Sequence, residues 1–186
     1  MNKNVIVVIR AFVFLSLVFF QSCSSTLEAT LLKQVNQIQG RKFANSRSEK
    51  SVFIKECRKK LFSHFLKEPM SDKKYYIVES YSLEHSLRIM VSAIMVDGKV
   101  SYYVYNSKTD MVENLYVMNK YEKAFYDEVF ELAQKKNYTK LEQLHLEESR
   151  RLSHSSACYL IELNFIKDVF EVENNIYFES FGSQPK

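Results

Sequence analysis

The sequence predicts an α+β fold, an antiparallel sheet of four to six strands packed by helices, with an N-terminal helical segment. Three observations predict it. Helical spacing of apolar residues runs through 26–39 and 51–68, gives way to strand patterning from Lys74, and returns at Asn119. The strand-like runs follow one another with no helix between them, which argues against a parallel doubly wound sheet. Asp97-Gly98 between two apolar runs is a strong hairpin signal, and a hairpin makes antiparallel neighbours.

Size and composition fit that class. A chain of 186 residues, 46% hydrophobic and 26% charged, suits one domain with an appendage. Only three Gly are present, so no Gly-rich loop cradles a phosphate. A net charge of +4 without an aromatic-plus-basic signature gives no reason to expect a nucleic-acid partner.

The first 25 residues read as an address. Lys3 and Arg10 precede the apolar run Ala11–Phe20, which stops at Gln21, Ser22 and Cys23. A charged start, an apolar middle and a small polar end make up a secretory signal. A membrane span wants about 20 apolar residues without a central charge, and Arg10 interrupts this one. The stretch Phe20-Gln21-Ser22-Cys23-Ser24-Ser25 resembles the lipobox of bacterial lipoproteins. Phe20 and Gln21 stand where that family usually has Leu and a small residue. The resemblance implies cleavage before Cys23 and a diacylglyceryl thioether on its sulfur. It also implies a membrane partner through the N-terminal lipid and a cell-envelope location. Ser24, in place of an acidic retention residue, leans toward the outer membrane.

The remaining elements follow in order. Thr26 caps a helix over 26–39 with Leu27, Leu31, Val35 and Ile38 in its stripe, and 40–51 reads as a linker. Phe53, Cys57, Leu61 and Phe65 step by four through a second helix that Pro69 stops. Eight basic against two acidic residues over 41–60 suit anionic head groups or a solvated face. Strands are expected at 74–81, 86–96, 99–106 and 111–118, with 86–96 central because both its faces are apolar. A helix over 119–136 and a second opened by a capping box at Thr139 form a helical hairpin. The tail adds strands at 158–166 and 175–181. The expected division is 1–22 signal peptide, 23–51 anchor-proximal helix and linker, and 52–186 a single α+β domain.

No motif carries a reaction. His64, His85, His145 and His154 show no HExxH spacing, and no CxxC occurs, so neither metal nor cofactor is expected. Cys57 and His64 share a helix, where Cys57 suits an apolar stripe. With Cys23 lipidated, Cys57 and Cys158 remain as a candidate disulfide or as two free thiols. Ser153, His154, Ser155, Ser156 and Cys158 cluster without a GxSxG. Tyrosine is the most suggestive residue: Tyr103 and Tyr105 share one strand face and form the candidate partner-binding surface, although Tyr is also a good strand residue. The functional expectation is a lipid-anchored, non-catalytic protein that binds or scaffolds an unidentified protein or glycan of the envelope. The alternatives are an envelope hydrolase using groups near Ser153–Cys158, and an inhibitor or immunity-type protein.

Overall fold

The computed structural model describes residues 27–37, 49–65, 72–82, 89–116, 120–141, 143, 156–167 and 169–179. Cys23, the 40–48 linker, His85, His145 and His154 lie outside the described residues. The elements are α1 (27–37), α2 (Glu49–Phe65), β1 (Lys73–Ser82), β2 (Ile89–Val96), β3 (Lys99–Asn106), β4 (Met111–Asn114), α3 (Lys120–Gln134), α4 (138–141), β5 (Ser156–Ile166) and β6 (Val169–Glu179). The fold is α+β. One open antiparallel sheet runs in the order β4-β3-β2-β1-β5-β6.

Helices cover both faces of the sheet. Leu31 and Val35 of α1 and Phe53, Leu61 and Phe62 of α2 pack on Ile77, Tyr81, Ile94 and Ile161. Tyr126, Val129 and Phe130 of α3, with Leu141 of α4, pack on Val78, Ala93, Met95 and Leu160. Successive strand residues point to opposite faces, so both sets come from the same strands. Burying each large apolar side chain contributes about 1.5–3 kcal/mol, which is why β1, β2 and β5 are apolar on both sides. α1 belongs to this core, and α2 begins at Glu49. The expected boundary between 51 and 52 therefore falls inside a helix, and residues 27–37 are part of the domain.

Local chemistry sets the turns. Asp97 and Gly98 both have positive φ, 49° and 74°, as the two central residues of a type I′ hairpin turn require. α3 ends in a Schellman motif: Asn137 N–H donates to Leu132 C=O at 2.9 Å and Lys136 N–H to Ala133 C=O at 2.9 Å, with Lys136 left-handed at φ 54°. The Asn137 side-chain oxygen then accepts from Lys140 N–H at 3.3 Å. Asn137 thus caps α4, two residues before the expected Thr139.

Two elements differ from expectation. β4 covers only Met111–Asn114. β6 starts at Val169, six residues before the expected Asn175, and a register shift between Glu162 and Leu163 accommodates it.

Candidate functional site

α2 runs antiparallel to β1, so its last turn lies over the start of β1 and the Asp97-Gly98 turn. Beside that last turn is a groove of about 290 Å³. Phe65, Tyr75, Ile94, Val96 and Tyr103 form its walls, and Asp97, Lys99 and Ser101 its rim. The wall residues converge because positions 75, 94, 96 and 103 all point to the α2 face. Phe65 lies 5.6 Å from Tyr75, ring to ring, and His64 meets the Tyr103 ring edge-on at 5.5 Å. Asp97 is held by Lys73 at 2.7 Å. Small-molecule sites usually occupy roughly 300–1,000 Å³, so this groove suits one or two apolar side chains or a chain segment.

The structure separates the two tyrosines of the expected binding surface. Tyr103 is half-buried and reaches the groove. Tyr105 is only 4% exposed; it packs 6.4 Å from Phe53, and its hydroxyl donates to Asp110 at 3.0 Å. A Tyr103/Tyr105 surface is therefore not presented. α2 covers the face that both share, and only the groove end of it is open.

Cys57 and Cys158 are free thiols. They lie in different cores on opposite faces of the sheet, so the candidate disulfide is not formed. Burial pushes both thiols up, Cys158 to about 11, and Glu79 raises Cys57 further. A nucleophilic cysteine needs the opposite environment.

Under α2 lies a buried charge network that the sequence analysis missed. Arg58 and Glu79 are both fully buried. Arg58 Nε donates to Glu79 Oε2 at 2.7 Å, and the Tyr81 hydroxyl donates to the same oxygen at 2.9 Å. The guanidinium lies 4.6 Å from the Tyr159 ring centre. Its Nη1 reaches Asn36 of α1 at 3.4 Å. Burial pushes the Glu79 carboxyl above its ordinary range despite Arg58. Burial alone would lower Arg58, but Glu79 outweighs it and keeps the guanidinium charged. The network ties α1 and α2 to the middle of the sheet. One signal for it was legible: Glu79 occupies an inward position in the alternation Tyr75, Ile77, Glu79, Tyr81.

On the other face, buried Glu162 accepts from the Tyr138 hydroxyl at 2.8 Å and lies 3.2 Å from Lys74 Nζ. Lys74 also pairs with Glu173 at 2.6 Å, and Asn164 donates to Glu173 at 2.8 Å. The Arg58–Glu79 network pairs one cation with one carboxylate, whereas Lys74 stands between two carboxylates; both networks join helix to sheet.

Among the described residues, no three potential ligands gather for a metal, and no helix is long and apolar enough to cross a membrane. No protein family, curated protein or solved structure matches this chain.

Proposed function

We propose that this is a lipid-anchored protein of the cell envelope, tethered through Cys23, which binds or scaffolds a protein or envelope component without catalysis. The observation that carries the reading is the aromatic-walled groove at the end of the sheet. Its walls offer apolar area and its rim offers charge and a hydroxyl, a composition that recognises a partner. The reactive-type side chains support the same reading. Both described thiols are buried and protonated, and Arg58 and Glu79 are engaged with each other.

The anchor is tested by fractionating cells that express the chain and its Cys23→Ser variant, with intact-mass measurement of each. The native chain is expected in the membrane fraction, beginning at Cys23 and carrying the mass of acyl chains. The variant is expected to lose both the acyl mass and that cleavage. A variant that stays processed and membrane-bound would overturn the reading.

A further inference from the structure

We propose that the hairpin end of the sheet is a membrane-contact surface, and that its partner is the anionic phospholipid bilayer holding the anchor. The proposal rests on the lipidation of Cys23 and adds to it an orientation and a set of contact residues.

Chain length supplies the first argument. The first described helical residue is Leu27, four residues after Cys23. Four residues span at most about 14 Å, so the start of α1 cannot lie far from the lipid. The structure places that start in the molecule. Ser63, in the last turn of α2, donates to Glu28 in the first turn of α1 at 2.7 Å. The last turn of α2 lies in turn over the hairpin end, where Phe65 meets Tyr75 and Phe170. The start of α1, within four residues of Cys23, therefore lies beside the two hairpin tips.

The residues at those tips supply the second argument. Lys73 pairs in register with Phe165, and Tyr75 with Val96, so the β2–β3 and β5–β6 tips are at the same end. Ile166 and Val169, paired across the β5–β6 tip, are 48% and 58% exposed. An apolar pair held in water at a hairpin tip is stabilised by entering the head-group boundary. Tyr116 is 88% exposed and follows β4 toward the same end, and tyrosine favours the membrane interface. Exposed Lys99 and Lys167 stand at the two tips, where cations are attracted to anionic lipid. Apolar pair, tyrosine and lysines thus share one end of the sheet with the tether.

The chain contains no tryptophan, so one introduced Trp is an unambiguous reporter. The test uses the full chain purified from membranes and reconstituted into vesicles of phosphatidylcholine and phosphatidylglycerol carrying a lipid-borne quencher. Val169→Trp reports the hairpin end. Val52→Trp, at the opposite end beside Phe53 and also half-exposed, is the comparison. Val169→Trp is expected to be blue-shifted and quenched several-fold more strongly than Val52→Trp. Adding Lys99→Glu and Lys167→Glu is expected to weaken that quenching, and doing so distinguishes bilayer contact from random proximity. Equal quenching at both ends, or none at Val169→Trp in an acylated chain, overturns this proposal and leaves the anchor standing. Intact mass showing an unmodified Cys23 overturns the anchor, and the orientation falls with it.

Discussion

The two faces of the sheet use the same strands and solve burial differently. The α1/α2 face accepts a full charge pair, Arg58 and Glu79, surrounded by Tyr81 and Tyr159. Beneath α3, the opposite face is built from Ala93, Met95, Cys158 and Leu160, and its central polar contacts are neutral: the Tyr126 hydroxyl donates to Ser80 at 3.1 Å, and Ser80 lies 3.3 Å from the Cys158 sulfur. A buried ion pair recovers little net energy but is costly to break, whereas a neutral hydrogen bond is modest either way. The Arg58–Glu79 site should therefore be intolerant of single changes and the neutral contacts beneath α3 forgiving.

The largest expected effect comes from Arg58→Ala, which strands Glu79 in the core. It should cost about 3–5 kcal/mol, read as a shift of the urea midpoint. Replacing both partners, Arg58→Met with Glu79→Leu, should recover most of that loss. A second signature comes from pH. Without Arg58 the Glu79 carboxyl rises further, so a group with a raised folded pKa contributes least when the solution is above it. The variant should thus lose more stability in neutral buffer than in mildly acidic buffer. A pH-independent loss equal to that of the double variant would show that Glu79 is not charged in the native fold.

That charge pair also marks the limit of what the sequence reveals. The strands, the hairpin at Asp97-Gly98 and the central place of β2 were legible because period-two alternation and turn chemistry are local. Pairing of Arg58 with Glu79 is not local, since only the packing of α2 on β1 brings them together. The same packing buries Tyr105, which alternation alone leaves indistinguishable from Tyr103. The first half of β6 was missed for another reason. Phe170 and Val172 face the same side as Tyr177, although a strict alternation from 172 would place 177 on the other. The register shift opposite Glu162 and Leu163 inserts one residue and breaks the period that identifies a strand. The groove was legible only through Tyr103, because its walls come from α2, β1, β2 and β3.

Alkaline pH tests the α3 face next. Burial raises the Cys158 thiol from 9.0 to about 11. Between those values the unfolded thiol is ionised while the folded one keeps its proton. The unfolded chain then binds fewer protons, so stability falls as pH rises through that window. The full loss is about 3 kcal/mol for this one group. Tyr105 on the other face, raised to about 12 by burial and by Asp110, adds its own loss above 10. Cys57, whose thiol burial and Glu79 raise further, contributes over the same window, so Cys158→Ala should reduce the decline between 9 and 11 without abolishing it, measured as urea midpoints across the range. An unchanged slope would mean that Cys158 is not the group responsible.

The smallest effect sharpens the comparison most directly. Tyr126→Phe removes one hydroxyl from the α3 face and keeps the ring against Tyr102, 5.9 Å away. Ser80 loses a donor but retains the Cys158 sulfur as a neighbour, so no charged group is left stranded. The expected cost is about 1 kcal/mol, the value of an ordinary neutral hydrogen bond. Tyr81→Phe makes the same chemical change on the other face, where the hydroxyl donates to a buried carboxylate. Bonds to charged groups contribute about 1.5–3 kcal/mol, so it should cost more. The two variants differ from native by one oxygen each, and the two hydroxyls meet opposite faces of one sheet, Tyr126 from α3 and Tyr81 from β1. Unequal midpoint shifts, with Tyr81→Phe the larger, follow if charge on Glu79 sets the difference between the faces. Equal shifts would place that difference in packing alone.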